Sequence, residues 1–218
     1  MIASMRRLPV VSFGGIVIVA MATVATALAG DDSREKTKFN AADRAAARAV
    51  VIQRGDLRPT GGWKGRPTKP DLSPVTCPNY HPKQSDLVLT GVAESDWDRP
   101  DRSVTSEDQI LQTAPMVRLD SHRSFTKTGI ACAVSLGGGK NVSVSRIAFP
   151  TLTPQAVAFR AFYGVKGQEP RQVMEVAAVF HGRNEITVSE VMATPAPLGI
   201  LHTEVVRLAR IMLARTRP

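Results

Sequence analysis

Few residues in this 218-residue chain carry reactive or ligating chemistry: two cysteines, four histidines and some local clusters of acids. Cys77 lies in the middle of a proline-rich stretch, and Cys132 follows a stretch with helical character. In an exported chain a single cysteine pair most simply forms one disulfide. A zinc site would recruit His81, in C-x3-H spacing with Cys77, together with His122. Zinc sites bring two tight ligand pairs, and Cys132 has no second ligand close to it in sequence. Two free thiols are the third arrangement. The disulfide is the expectation, and no metal or cofactor is expected.

The remaining motifs dissolve when their spacing is compared with what their chemistry requires. Asp120, Ser121, His122 and Ser124 hold the residue types of a nucleophilic triad. On one helix, however, adjacent residues point in different directions and cannot line up as nucleophile, base and orienter. His81, His181 and His202 are scattered. Gly137-Gly138-Gly139-Lys140 lacks the preceding Gly and the following Ser or Thr of a phosphate loop, with Val134 and Asn141 in those places. Arg54-Gly55-Asp56 reads as a glycine past a helix end followed by a turn, and Asn141-Val142-Ser143 is only a formal glycosylation sequon. Asp96, Asp98 and Asp101 lack the glycine and terminal glutamate of a calcium loop and read as a solvated turn. Trp63 and Trp97 fall in irregular stretches, where an indole either plugs the core edge or offers a face for ligand stacking.

Charge and targeting bound where any site works. Arg6 and Arg7 precede an uncharged run from Val10 to Leu28, and Ala27-Leu28-Ala29 has the small-x-small pattern of a signal-peptidase site. Residues 1–29 therefore read as a signal peptide, with an uncleaved anchor as the alternative because the run nearly reaches spanning length. Cleavage there removes Arg6 and Arg7 from the net charge of +9 and leaves +7. A basic exported domain suits an anionic envelope surface better than nucleic acid, and 5% aromatic residues are too few for a base-stacking platform.

The elements that must position these residues follow from periodicity and breakers. Residues 30–39 read as a flexible lead and 40–218 as a single α+β domain. Asn40 caps a helix over Ala41–Gln53, and Arg58–Gln84, with six prolines, reads as a loop without regular structure. Strands are expected over Asp86–Glu94 and Ser103–Leu111, with Ser95–Arg102 as a loop between them. One helix starting after Thr113 carries Met116, Val117 and Leu119 towards Cys132. Four strands follow over Asn141–Phe149, Gln155–Val165, Arg171–His181 and Glu185–Met192, with joints short enough to force an antiparallel meander. A terminal helix over Leu198–Arg215 aligns Leu201, Val205, Leu208 and Met212 as its core stripe and leaves Arg207, Arg210 and Arg217 off it as candidate anionic-surface contacts. The order is α-β-β-α-β-β-β-β-α. Met174, Val176, Ala178 and Phe180 make one face of a strand apolar, and Val173, Ala177 and Val179 the other. Helices on both faces of a mainly antiparallel sheet of about six strands, an α/β/α sandwich, satisfy that pattern.

Several segments together resemble a class of exported actinobacterial α/β proteins. They are A-A-D-R-A-A-A-R-A-V-V-I-Q-R-G-D-L from Ala41, Gly62-Trp63, Cys77, Asp86-Leu87 with Gly91, Arg146-Ile147-Ala148-Phe149-Pro150 and the arginine-rich terminal helix. More distantly, the plan is similar to the extracellular sensor domains of mycobacterial serine/threonine kinases and to PsbP- and Mog1-like domains. The resemblance implies a sensor, lipoprotein or assembly-factor role and carries no catalytic residues with it. Kinase sensor domains of that type carry two disulfides, whereas this chain can form only one.

The sequence therefore points to a non-enzymatic exported envelope domain that binds an unidentified ligand or protein. The rival reading is a hydrolase built around His122 or His181. Mass spectrometry of the native protein is expected to find its N-terminus at or near Gly30; recovery of intact Met1 would establish the anchor instead.

Overall fold

Strand-forming sequence dominates from Val88 onward, and all of it enters one sheet. A computed structural model describes residues 31–59, 61–165 and 168–216. The expected signal peptide or anchor lies outside the described residues, and among those described no helix is long and apolar enough to cross a membrane. The helices are α1 (Ala41–Val50), α2 (Ala114–Ser124), α3 (Lys127–Leu136) and α4 (Leu198–Arg215). The strands are β1 (Lys36–Thr37), β2 (Lys64–Thr68), β3 (Val88–Asp98), β4 (Arg102–Leu111), β5 (Gly139–Ile147), β6 (Ala156–Val165), β7 (Gln168–His181) and β8 (Asn184–Ala193). They form an eight-stranded sheet in the order β1-β3-β4-β8-β7-β6-β5, with β2 also on β3. Every pairing is antiparallel except the short β1–β3 ladder.

The two-residue period of the strands sorts their side chains onto two faces. One face carries Val173, Ala177, Val179, Ile186, Val188 and Val104 and packs against α4 through Leu201, Val205, Leu208 and Met212. α1 covers the β3–β4 end of that face, with Ala47 and Val51 against Ala93 and Ile110. Its approach is close: a side chain at Gly91 would strike the backbone of Asp43. The chain leaving α1 is pinned by Ser106, which accepts from the Ile52 amide at 2.9 Å, and by Ser95 and Trp97, which donate to the Ile52 carbonyl at 2.9 and 3.1 Å. On the second face, α3 covers Phe159, Ala161 and Tyr163 of β6, and α2 covers Leu89, Leu111, Ala178 and Phe180. The α/β/α sandwich is thus the observed architecture.

Five local expectations change. The lead is not a loose tail over residues 31–39: the amides of Lys36 and Lys38 donate to the Leu87 and Leu89 carbonyls, because the outer edge of β3 offers unpaired acceptors. The proline-rich stretch does hold a regular element, β2, with Pro67 opposite Ser95; an edge strand tolerates proline because one side of its backbone has no partner. Ser95–Arg102 is mostly strand, leaving a three-residue turn closed by hydrogen bonds between the Arg99 and Arg102 backbones. The single helix before Cys132 is two helices, broken at Phe125, where the Thr126 hydroxyl accepts from the Gly129 amide and starts α3 afresh. With β1 and β2 added, the sheet has eight strands rather than six.

Cys77 and Cys132 are joined, their Cα atoms 5.8 Å apart, which fastens the loop before β3 to α3. Beside this bond Tyr80 donates to the Arg123 and Ser124 carbonyls at the α2–α3 corner, a fit that depends on Gly129, where any side chain would strike the tyrosine hydroxyl. The cysteines lie 55 residues apart, for which chain entropy alone gives about 4 kcal/mol. Cys77→Ser is expected to lower the Tm by roughly 10 °C and to open residues 69–86 to proteolysis, as differential scanning calorimetry and limited digestion will read.

Candidate functional site

Carboxylates placed inside strands are the unusual feature of this sheet, and the register brings them into pairs. On the α4 face Glu175 stands directly opposite Glu190 across β7 and β8. Both are fully buried, at 0% exposure. Like charges in opposed positions repel, and here the chain supplies the compensation. Arg160 of β6 donates to Glu175 at 2.9 Å, Nδ1 of His202 on α4 lies 2.5 Å from its other oxygen, and Arg102 of β4 reaches Glu190 at 3.1 Å. Burial still raises the Glu190 carboxyl to about 7 against the pull of Arg102. Nearby on this face Asp108, also fully buried, receives both its hydrogen bonds from the Asn184 amide, and desolvation pushes it well above the usual carboxylate range.

The second face repeats the problem without the answer. Glu94 of β3 stands directly opposite Glu107 of β4, and Gln109 opposite Glu185 of β8. Glu94 and Glu107 are half-buried and Glu185 is 4% exposed. The segment 68–86 meets this face, with the Asp71 backbone hydrogen-bonding Glu94. Thr68 donates to Glu94 at 3.0 Å, and Gln84 donates to Asp120 at 3.1 Å and to Ser124 at 2.9 Å. Asp120 comes from α2, 2% exposed, and Glu35 from the lead. Thr68 donates to Glu94, Thr105 to Asp96 and Gln109 to Glu107, Glu94 and Asp96 lie within hydrogen-bonding reach of each other, and none of the three acids is ion-paired among the described residues.

The electrostatics follow from that composition. Burial, reinforced by the Asp120 and Glu107 carboxylates, pushes Glu35 up to about 8. Burial raises Glu107 to about 7, with Glu94, Asp71 and Asp120 adding to it and only the Gln109 hydrogen bond opposing. Glu185 is driven well above the carboxylate range by burial and then by Asp120, which lies within hydrogen-bonding reach of it. A protonated Glu185 can donate to Asp120, so one proton bridges two acids. The face can hold protons or accept hydrogen bonds from a donor-rich ligand.

The residues singled out by sequence fall elsewhere. Trp63 and Trp97 are both buried in the main core, at 3% and 6% exposure, and Trp97 lies in β3 rather than in a loop. Neither can stack on a ligand: Trp63 donates to the Pro59 carbonyl at 2.9 Å and lies under the Arg99 guanidinium. Arg207 of the candidate anionic-surface face is taken up by Glu204 and the Asp56 carbonyl, Arg210 is exposed, and Arg217 lies outside the described residues. His81, His122 and His181 are exposed and bonded to no acid among the described residues, while His202, read as isolated, is the one that meets a carboxylate. No group of three His, Cys, Asp or Glu side chains could hold a metal ion among the described residues. Sequence reasoning missed Glu94, Glu107, Glu175, Glu185 and Glu190. The available signal was a glutamate inside a strand apolar on both faces, as in M-E-V-A-A-V-F from Met174, which has no solvent side to occupy.

No protein-family model matches the chain, and no curated protein matches it either.

Raised carboxyls tie stability to pH. In the unfolded chain Glu35, Glu107 and Glu190 release their protons near 4.5, and in the folded protein near 8, 7 and 7. Between those values the folded state holds more protons than the unfolded state, so stability is greatest at mildly acidic pH and falls as pH rises through 7 to 8. Calorimetric Tm is expected to be roughly 5–10 °C higher at pH 5 than at pH 8.5. Glu107→Gln, which keeps a neutral group at one of these positions, is expected to flatten the difference.

Proposed function

We propose that this protein is an exported, non-enzymatic binding domain of the cell envelope, of the sensor or assembly-factor type. Its site is the polar half of the second sheet face, under the disulfide-fastened segment 68–86. One observation carries the reading. On the central strands α4, α3 and α2 make apolar contacts, whereas Glu94, Asp96, Thr105 and Glu107 are half-buried and Glu94 is met by Thr68 at the start of the non-helical segment. A structural sheet face gains most from an apolar cover. A polar floor under a loop is the usual form of a ligand site, because a scaffold holds the floor and the loop adapts.

Other features agree with that reading. A disulfide persists in oxidising, extracytoplasmic compartments. The signal-like N-terminus and the resemblance to extracellular sensor domains point the same way. A catalytic reading lacks support in the geometry, since His122 and His181 are exposed and hydrogen-bonded to no acid or hydroxyl among the described residues.

The test is a thermal-shift screen of the disulfide-bonded protein against cationic, anionic and neutral small molecules, with amide exchange of any hit. A ligand at a hundred times its Kd adds about 2.7 kcal/mol, roughly 5–10 °C in Tm for a chain of this size. It is expected to slow exchange selectively in β3, β4 and segment 68–86, and Cys77→Ser is expected to weaken it at least about tenfold. A hydrolytic activity lost in His122→Ala or His181→Ala would overturn the proposal, as would ligand protection confined to the α4 face.

A further inference from the structure

The chain finishes the two ends of its sheet differently. At one end the outer edge of β3 is covered by β1 and β2, which bring Lys36, Lys64 and Pro67 to the rim. At the other end β5 pairs with β6 alone, and its outer side has no hydrogen-bonded backbone group among the described residues. A bare row of N–H and C=O groups is a template for one more strand. Beyond the irregularity between Lys140 and Ser143, residues 143–147 run in unbroken register with residues 158–162 of β6. Val142 and Val144 are half-buried on the α3 side and Ile147 on the α4 side, so an added strand would extend both apolar layers.

Charge narrows the kind of strand that fits. No Asp or Glu occurs between Asp120 and Glu169, whereas six Lys or Arg do. That acid-free stretch supplies α3, β5 and β6, which pack together at this end of the sheet. Two of its arginines are engaged, Arg123 by Asp86 and Arg160 by Glu175. Lys127, Lys140 and Arg146 are exposed and ion-paired with no acid among the described residues. The open edge is therefore basic, with Lys140 before the regular stretch and Arg146 within it.

A second copy of the chain is a poor occupant. Its β5 would bring the same acid-free strand, and its opposite rim presents Lys64 and Arg66, both exposed. Like charges directly across a strand pair repel. We propose that β5 takes up an extended acidic peptide segment of another protein, which joins the sheet as an added edge strand. Main-chain hydrogen bonds supply the affinity, and carboxylates set against Lys140 and Arg146 supply the selection. This surface lies at the far end of the sheet from Glu94 and Glu107 and does not depend on the reading of that face.

The probes are labelled nine-residue peptides, titrated into the disulfide-bonded protein at pH 7 with fluorescence anisotropy and amide exchange as readouts. One alternates glutamate with valine, and one alternates lysine with valine. The third is the acidic sequence N-methylated at every residue, which keeps the charge and removes the backbone donors. The acidic peptide is expected to bind at least tenfold more tightly than the other two and to slow exchange within residues 143–147. Arg146→Glu and Lys140→Glu, both at exposed side chains, are expected to keep the Tm and to weaken the acidic peptide at least tenfold. Arg210→Glu, on α4, leaves its affinity unchanged. Failure of the acidic peptide to bind, equal binding of the N-methylated peptide, affinity unchanged in both β5 variants, or protection away from β5 would overturn the proposal. So would a dimer of the protein alone protected within residues 143–147, which would give the edge to a second copy. Binding to anionic lipid vesicles that outcompetes the peptide and leaves those amides unprotected would overturn it in favour of a lipid surface.

Discussion

A carboxylate taken out of water must be given a cation, a proton or a set of hydrogen-bond donors, and this sheet is organised around that requirement. The central strands carry glutamates where a purely structural sheet would carry valine. On the α4 face Arg160, Arg102 and His202 converge on Glu175 and Glu190, and the network spans β6, β7, β8, β4 and α4. Such a network adds little net stability compared with an apolar replacement, yet each partner becomes costly to remove alone. It makes the register of four strands and the seating of α4 mutually dependent. On the other face the requirement is left to protons and neutral donors among the described residues, and that asymmetry distinguishes the scaffold from the proposed site.

The roof of the site is built from the parts of the chain with the least regular structure. Glu35 arrives on the lead, which is held by backbone hydrogen bonds to Leu87 and Leu89 and by the Asp32 carbonyl accepting from Gln84 and Ser85. Gln84 belongs to the segment fixed by the Cys77–Cys132 bond and by Tyr80 at the α2–α3 corner. The lead, the segment and α2 thus meet over one patch of floor. A covalent fastening suits such a place, because a proline-rich segment with few apolar contacts has little other means of staying folded against a polar surface. The disulfide bears on the site through this geometry although neither sulfur belongs to it.

The legible parts of the fold are those where period and punctuation agree. The antiparallel run from β5 to β8 shows in the chain as strand-forming residues with short joints, and α4 shows as a stripe of Leu201, Val205, Leu208 and Met212, all buried. Asn40 caps α1 through its side chain, as its type and place suggest. β1 and β2 left no such trace. Two and five residues are too short to show a period, and their exposed side chains show no alternation, so only the open edge of β3 makes them strands. The break at Phe125 was hidden for a related reason: a helix former on each side outweighs a single Thr126 when the chain is read locally. Trp97 looked like a loop residue because acids surround it, yet those acids occupy the opposite face of its strand.

The sequence by itself determined the class of fold, the covalent link and the both-sided burial of the central strands, because these depend on residue type and on periods of two and three to four along the chain. It also determined that Glu175, Glu185 and Glu190 lie within strands. Only the tertiary structure decided which glutamates oppose one another, since register is set by pairing between segments far apart in the chain. Only it decided that Arg160 and Arg102 reach one pair and that, among the described residues, no arginine is ion-paired with the other. Charge compensation is a property of distances in space, and the same residues in the same order would allow either face to be the one left open.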